Sequence, residues 1–190
     1  MLLAVVLAAT IDCTGLWSPQ TSESALAAQF GKANVKREQV YVGEGAEEEG
    51  SVLFPDDPKR RVEIVWKNKK ARQSPEWLRV SDESTWDVFG LRTGMTLAEI
   101  EKRNGKPFRL YGFEWDFGGI VTDWRDGALA KLGGKACRVG VEMTVDYPEN
   151  PTKAEETAMG AVAGDQEISS ALPHLKKLKV RVREITVSYP

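Results

Sequence analysis

The sequence predicts an α+β protein made of two related helix-then-antiparallel-sheet units that pack together. Three observations support this fold class: a repeated helix with matching start and stop residues, alternating apolar and polar residues after each helix, and the order of the elements. Strict alternation of strands and helices favours a parallel sheet, whereas runs of strands favour antiparallel sheets with helices on one face. The elements here run helix, strands, helix, strands, which predicts antiparallel sheets.

The repeated helix occupies residues 22–32 and again residues 96–106, at a constant offset. Each copy begins with Ser or Thr, whose hydroxyl oxygen accepts a hydrogen bond from a backbone N–H of the first turn. Each copy stops near a glycine, which adopts the left-handed conformation that ends a helix, and Pro107 prevents the second helix from continuing. The two short helices share their start and stop residues either because one unit was duplicated or by chance.

Strands are predicted after the first helix at residues 39–42, 51–54 and 62–67, with a turn at residues 55–58. In the last of these strands apolar and polar residues alternate, which is typical of a strand with one buried face. The Pro- and charge-rich stretch 68–76 is predicted to be a short linker.

After the second helix, residues 113–117 place three aromatic side chains on one face of a predicted strand and Glu114 and Asp116 on the other. The glycine pair 118–119 predicts a hairpin turn, and residues 120–124 form the returning strand.

The C-terminal third contains the most regular alternation, at residues 137–145, followed by a short helix around residues 153–160. Residues 178–189 form another strand, in which the apolar phase slips by one residue near Arg183 and Glu184. A one-residue slip in a strand predicts a β-bulge.

These elements divide the chain into a signal-like segment at residues 1–13, a first unit at residues 21–67 and a second unit at residues 77–190. The apolar start is too short to cross a bilayer and is typical of a signal peptide, although no positive charge precedes it. The alternative is a buried first strand or helix. No other segment is apolar enough to cross a membrane, and the predicted location is periplasmic or secreted.

Cys13 and Cys137 are the two cysteines of the chain. In an oxidising compartment they pair and tie the N-terminal region to the sheet. Two free thiols, or a lipid-anchored Cys13, are the alternatives, and the residues before Cys13 lack the small side chain that a lipid-attachment site requires.

The composition argues against several classes of partner. Basic residues number 26 and acidic residues 28, and the formal net charge of −2 gives no general attraction to nucleic acid. Cysteine and histidine at the spacing of metal ligands are missing, as are phosphate-binding and dinucleotide-binding glycine loops. We therefore predict neither a metal nor another cofactor.

The run Gly94-Met95-Thr96-Leu97-Ala98-Glu99-Ile100, together with Gly105-Lys106-Pro107 and Trp115, resembles a known helix-to-sheet unit. That unit occurs in small outer-membrane-assembly lipoproteins and in β-lactamase inhibitor proteins. The resemblance covers residues 94–117 and implies a sheet protein of the cell envelope that binds other proteins and has no catalytic residues. The lipid-attachment sequence of the lipoproteins is missing from this chain.

Tryptophan is the most informative residue type for function, with six copies in the chain. Aromatic side chains on a sheet anchor protein interfaces or stack on sugars, and they also fill cores. Trp77 and Trp86 are expected to be partly exposed, because polar residues surround them. The predicted binding residues, all in or beside predicted strands, are Trp66, Trp77, Trp86, Trp115 and Trp124.

The leading hypothesis is a non-catalytic module that binds an envelope or extracellular protein, as an inhibitor or as an assembly factor. The first alternative is a small-ligand module in which aromatic side chains hold a sugar or a lipid head group between the two units. The second alternative is a hydrolase that uses Glu114 and Asp116, since two carboxylates about 7 Å apart on one strand face can hydrolyse glycosides.

Overall fold

The computed structural model describes residues 10–190. It has a mixed α+β fold, which confirms the predicted class. The helices are α1 (Glu23–Phe30), α2 (Leu97–Asn104) and α3 (Lys153–Val162). The strands are β1 (Thr10–Ile11), β2 (Val35–Gly43), β3 (Ala46–Leu53), β4 (Val62–Asn68), β5 (Gln73–Val80), β6 (Asp87–Val88), β7 (Arg109–Tyr111), β8 (Val121–Asp123), β9 (Arg138–Val145), β10 (Glu167–Ser169) and β11 (Val180–Ser188).

The main sheet has six antiparallel strands in the order β2-β3-β4-β5-β11-β9, and a second antiparallel sheet has the order β10-β7-β8. Strands β1 and β6 form a short parallel pair. The prediction of antiparallel sheets is therefore confirmed for both larger sheets. Most of the predicted signal-like segment, residues 1–9, lies outside the described residues.

Helices α1 and α2 begin directly after the residues that were predicted to cap them. The Ser22 hydroxyl accepts a hydrogen bond from the backbone N–H of Ala25 at the start of α1. Thr96 and Glu99 form a capping box at the start of α2, and Gly105 ends that helix in the left-handed conformation, with φ of 80°. A cap of this kind stabilises a helix by about 1 kcal/mol. The common origin of the two units remains a prediction.

The predicted linker at residues 68–76 is wrong, because this stretch closes a hairpin. Strands β4 and β5 pair across it, with Asn68 opposite Gln73. Pro75 lies opposite Trp66 beside a register shift, which is a position where a sheet tolerates proline. Because β5 also pairs with β11, one continuous sheet contains strands from both predicted units.

The predicted strand at residues 113–117 is also wrong. This segment is a loop of bends and turns, and Glu114 has a φ of 66°, outside the extended region. Glu114 and Asp116 consequently do not lie together on one strand face, which removes the geometric premise of the hydrolase alternative. The predicted bulge in the last strand is confirmed, because the pairing of β11 with β9 shifts register between Val182 and Glu184.

The main core lies between the inner face of the six-stranded sheet and the helices. Leu26 of α1, Ile100 of α2 and Ile185 of β11 are fully buried in it. The opposite face, named the outer face here, has a smaller cluster of Val40, Val52 and Val65.

Cys13 and Cys137 form a disulfide, with their Cα atoms 6.3 Å apart, and both are buried. The pairing predicted for an oxidising compartment is therefore present in the fold. Among residues 10–190, no helix is both long and apolar enough to cross a membrane.

Candidate functional site

Two of the five predicted binding tryptophans belong to the core. Trp66 is fully buried, and its Nε1 donates a hydrogen bond to the Ser51 hydroxyl over 2.8 Å. Trp86 is 2% exposed, and its Nε1 donates to the carbonyl oxygen of Arg60 over 2.9 Å. The expected partial exposure of Trp86 is wrong. Its sequence neighbours are polar, but Trp17, which is distant along the chain, packs edge-on against its ring at 5.1 Å.

The other three predicted tryptophans are partly exposed, but they lie in different places. Trp124 packs against Phe108, with ring centroids 5.0 Å apart. Trp77 lies on the outer face beside the small valine cluster, and the guanidinium of Arg79 is 5.2 Å from its ring centroid. Trp115 lies in the segment between β7 and β8. The structure therefore does not bring the predicted residues into one cleft.

Trp115 is instead the centre of a new aromatic cluster. We name residues 111–119 the aromatic loop. Its rings contact in series: Tyr111 and Trp115 are 5.2 Å apart at an angle of 78°, and Trp115 and Phe117 are 5.3 Å apart at 76°. Edge-to-face contacts of this kind add about 0.5–1.5 kcal/mol beyond the area that they bury. Phe117 is nevertheless 41% exposed.

Backbone hydrogen bonds hold the aromatic loop in place on two sides. On one side, the Phe113 N–H donates to the carbonyl of Val162, and the Gly164 N–H donates to the carbonyl of Phe113, each over 2.8 Å. On the other side, the Met143 N–H donates to the Gly119 carbonyl over 2.9 Å. The approach to β9 is so close that a Cβ on Gly119 would lie 2.0 Å from the Met143 carbonyl oxygen. The loop therefore has a fixed shape.

A cavity of about 210 Å³ lies between the aromatic loop and β9. Trp115 and Tyr147 supply its aromatic walls, and Glu114, Glu142 and Arg183 supply its charges. Tyr147 is 45% exposed, and its hydroxyl lies close to the Glu114 carboxylate. Partial burial, together with the negative charge of Glu114 and hydrogen bonding to its carboxylate, raises the pKa of Tyr147 to about 12.

The cavity opens beside a row of charged side chains on the outer face. Glu142 of β9 lies directly opposite Glu184 of β11, and Arg183 forms an ion pair with Glu142. Arg79 binds Glu63 at 2.5 Å and lies 3.6 Å from Glu184. Burial raises the pKa of both Glu142 and Glu184, and the attraction of the arginines only partly opposes this effect.

These raised pKa values predict that replacing Glu184 by Gln stabilises the protein at neutral pH. A carboxyl with a higher pKa in the folded state binds more protons when folded. Its stabilising contribution is therefore present at low pH, and it is lost as the pH rises above 4.5 through the folded pKa. Denaturant unfolding should show a larger free energy of unfolding for Glu184→Gln than for the wild type at pH 7, with the difference shrinking towards pH 4.

The matched control is Glu47→Gln, because Glu47 is exposed on the hairpin between β2 and β3 and the substitution removes the same charge. A gain in stability that is equal at pH 4 and pH 7, or that Glu47→Gln reproduces, would contradict the burial of the Glu184 carboxylate.

Sequence reasoning missed two exposed aromatic residues of this site, Phe117 and Tyr147. The alternation of aromatic and acidic residues at 113–117 placed Phe117 in a predicted strand. Tyr147 follows the end of β9 and precedes Pro148, and no local pattern in the sequence indicates that its ring is exposed.

Arg183 already pairs with Glu142 in this cavity, so that Glu114 is the carboxylate without an ion pair among the residues that line it. Glu114 and the aromatic walls favour a cationic group through ionic and cation–π contacts. Among the described residues, no group of three His, Cys, Asp or Glu side chains is placed to hold a metal ion.

No family model, no curated protein and no solved structure matches this chain. The likeness of residues 94–117 to outer-membrane-assembly lipoproteins and β-lactamase inhibitor proteins remains a prediction.

Proposed function

We propose that this chain is a non-catalytic protein-binding module of the periplasm or the extracellular space. A partner protein docks on the aromatic loop, on Tyr147 and on the adjoining charged part of the outer face. The module acts on its partner either as an inhibitor or as an assembly factor.

The observation that carries this proposal is the exposed aromatic cluster itself. Phe117 and Tyr147 present 41% and 45% of their surfaces to solvent, beside the partly buried Trp115. Grouped exposed apolar side chains mark interaction surfaces, whereas single ones are common on any protein. Aromatic residues are also the side chains that most often dominate binding energy at interfaces.

The fixed shape of the aromatic loop supports the same proposal. A surface that is already ordered before binding loses little conformational entropy when it meets a partner. The hydrogen bonds from Phe113 and from Gly119 to neighbouring segments provide this order. The cavity beside Trp115 can then receive a Lys or Arg side chain of the partner against Glu114.

The disulfide between Cys13 and Cys137 supports an exported location for the module. Disulfides persist in oxidising compartments and are rare in reducing ones. The envelope or extracellular partner follows from that location, and the balanced charge of the chain gives no support for a nucleic-acid partner.

The proposal is tested by capture from native envelope extract, with quantitative mass spectrometry of what is retained. We expect one stoichiometric protein on the wild type. The variant Phe117→Ser/Tyr147→Ser should retain it at least about 30-fold less strongly, because two anchors that each contribute about 1 kcal/mol or more are lost.

The matched control is Tyr41→Ser/Val42→Ser. These residues are 49% and 41% exposed, and they lie at the tip of the β2–β3 hairpin, away from the aromatic loop in the sheet order. Both double variants should remain folded, and Phe117→Ser/Tyr147→Ser should melt only a few degrees (about 1–6 °C) below the wild type, because Phe117 loses its edge-on contact with Trp115. Equal capture by all three proteins would reject the aromatic loop as the binding surface.

A further inference from the structure

A second surface, separate from the aromatic loop, is a groove of about 680 Å³ between α2, the turn at Leu175–Lys177 and the start of β11. No tryptophan lines it, and it is not part of the protein-binding surface proposed above. Its volume lies within the range of about 300–1,000 Å³ that is usual for small-molecule sites.

The floor of the groove is apolar. Leu97 of α2, Leu175 of the turn and Val180 of β11 are 8%, 1% and 4% exposed, so that each shows only a small part of its surface. Ala98 is exposed and Leu178 is partly exposed, and these two side chains present the accessible apolar surface of the groove. A ligand that covers them gains the free energy of removing apolar surface from water, about 25 cal/mol for each Å².

The two carboxylates that line the groove already have partners within the fold. The Ser170 hydroxyl donates a hydrogen bond to Glu101 over 2.6 Å. The Nε of Arg181 donates to both carboxylate oxygens of Asp146, over 2.8 and 3.1 Å. These acidic groups are therefore occupied, and they offer little to a cationic ligand.

The two lysines on the rim have no ion-pair partner in the described part of the chain. Lys176 and Lys179 are exposed and line the groove, and within residues 10–190 no ion pair joins either ammonium group to a carboxylate. The charge of Lys179 is the smallest influence on the pKa of Glu155, which hydrogen bonds from Thr152 lower most. The groove thus combines an apolar floor with two positive charges at its rim that form no ion pair with any described residue.

We infer that this groove binds a single-chain amphiphile with an anionic head group. The apolar tail covers Ala98 and Leu178, and the head group pairs with Lys176 and Lys179. Charge complementarity favours an anionic head group, because among the described residues the two rim lysines have no ion-pair partner and the carboxylates of the groove already have partners. A carboxylate of a fatty acid and a phosphate of an alkyl phosphate share this chemistry.

The test uses the full chain with 11-(dansylamino)undecanoic acid, whose emission shifts to shorter wavelength and strengthens in an apolar site. We expect saturable binding and displacement by both dodecanoate and dodecyl phosphate, whose relative strength identifies the preferred head group. Inorganic phosphate and dodecyltrimethylammonium should not displace the probe. Displacement by inorganic phosphate would indicate a simple anion site, and equal displacement by the cationic amphiphile would show that charge is not recognised. Either result overturns the inference.

Variants separate the groove from the rest of the surface. Lys176→Glu/Lys179→Glu should weaken probe binding at least about tenfold, and Ala98→Trp should block it by filling the groove. The matched control is Lys131→Glu/Lys135→Glu, which reverses two exposed charges that do not line the groove and should change binding less than about twofold. Phe117→Ser/Tyr147→Ser should bind the probe normally.

Melting temperatures establish that each variant is folded before binding is compared. No saturable probe binding to the wild type, or undiminished binding to both Lys176→Glu/Lys179→Glu and Ala98→Trp, would overturn the inference.

Discussion

Replacing Cys13 and Cys137 together by alanine is expected to lower the free energy of unfolding by about 2–5 kcal/mol. The disulfide joins residues 124 positions apart, and a bridge over so long a loop removes much conformational freedom from the unfolded chain. It also ties the segment before α1 to the residue that precedes β9. The melting temperature should fall by roughly 4–20 °C, since 1 kcal/mol corresponds to about 2–4 °C in a protein of this size.

Calorimetry with and without dithiothreitol measures this effect. The wild type should lose stability in the reductant, and the double alanine variant should be unaffected by it, which controls for other actions of the thiol. Wild-type protein that melts at the same temperature with and without the reductant, while alkylation shows two free thiols in the oxidised sample, would contradict the disulfide.

Replacing Trp86 by alanine is expected to destabilise the protein by about 3–5 kcal/mol, the usual range for removing a large aromatic side chain from a core. Trp86 is 2% exposed and contacts the rings of Trp17 and Phe30 edge-on, at 5.1 and 6.1 Å. The substitution leaves a cavity at this junction, and it also removes the donor for the carbonyl oxygen of Arg60. Equilibrium denaturation in urea gives the free energy directly.

The control for this substitution is Trp77→Ala, because Trp77 is partly exposed on the outer face, where it packs beside the small valine cluster and the Arg79 guanidinium. Its loss should destabilise the protein by clearly less than the loss of Trp86. Equal or reversed effects of the two substitutions would mean that the burial assigned to Trp86 is wrong.

Local signals in the sequence predicted the helices and the regular strands. Ser22 and Thr96 cap the helices that they were expected to cap, because N-capping depends on residues only two or three positions apart. The phase slip near Arg183 likewise predicted the bulge, since a change of alternation is visible within one strand.

Long-range pairing explains what the sequence did not predict. Residues 68–76 resemble a linker by composition, but β11, more than a hundred residues later, pairs with the strand that begins there. The alternation at residues 113–117 is overridden by contacts of Phe113 with Val162 and of Gly119 with Met143. Neither contact leaves a signal in the local pattern.

The candidate site was predicted only in part for the same reason. Trp115 belongs to it, but Trp66 and Trp86 are in the core, because burial depends on which distant segments cover a side chain. The exposure of Phe117 depends on the loop turning away from a strand conformation at Glu114. That turn brings Tyr147 beside the loop and forms the cavity between them.

The most direct test of the proposed binding surface is site-specific photo-crosslinking in envelope extract. A photoreactive phenylalanine analogue is placed at position 117, and the same analogue is placed at position 41 as the control, since Tyr41 is similarly exposed. We expect position 117 to give one discrete crosslinked protein and position 41 to give none. The same crosslinks from both positions, or none from position 117, would contradict a partner docked on the aromatic loop.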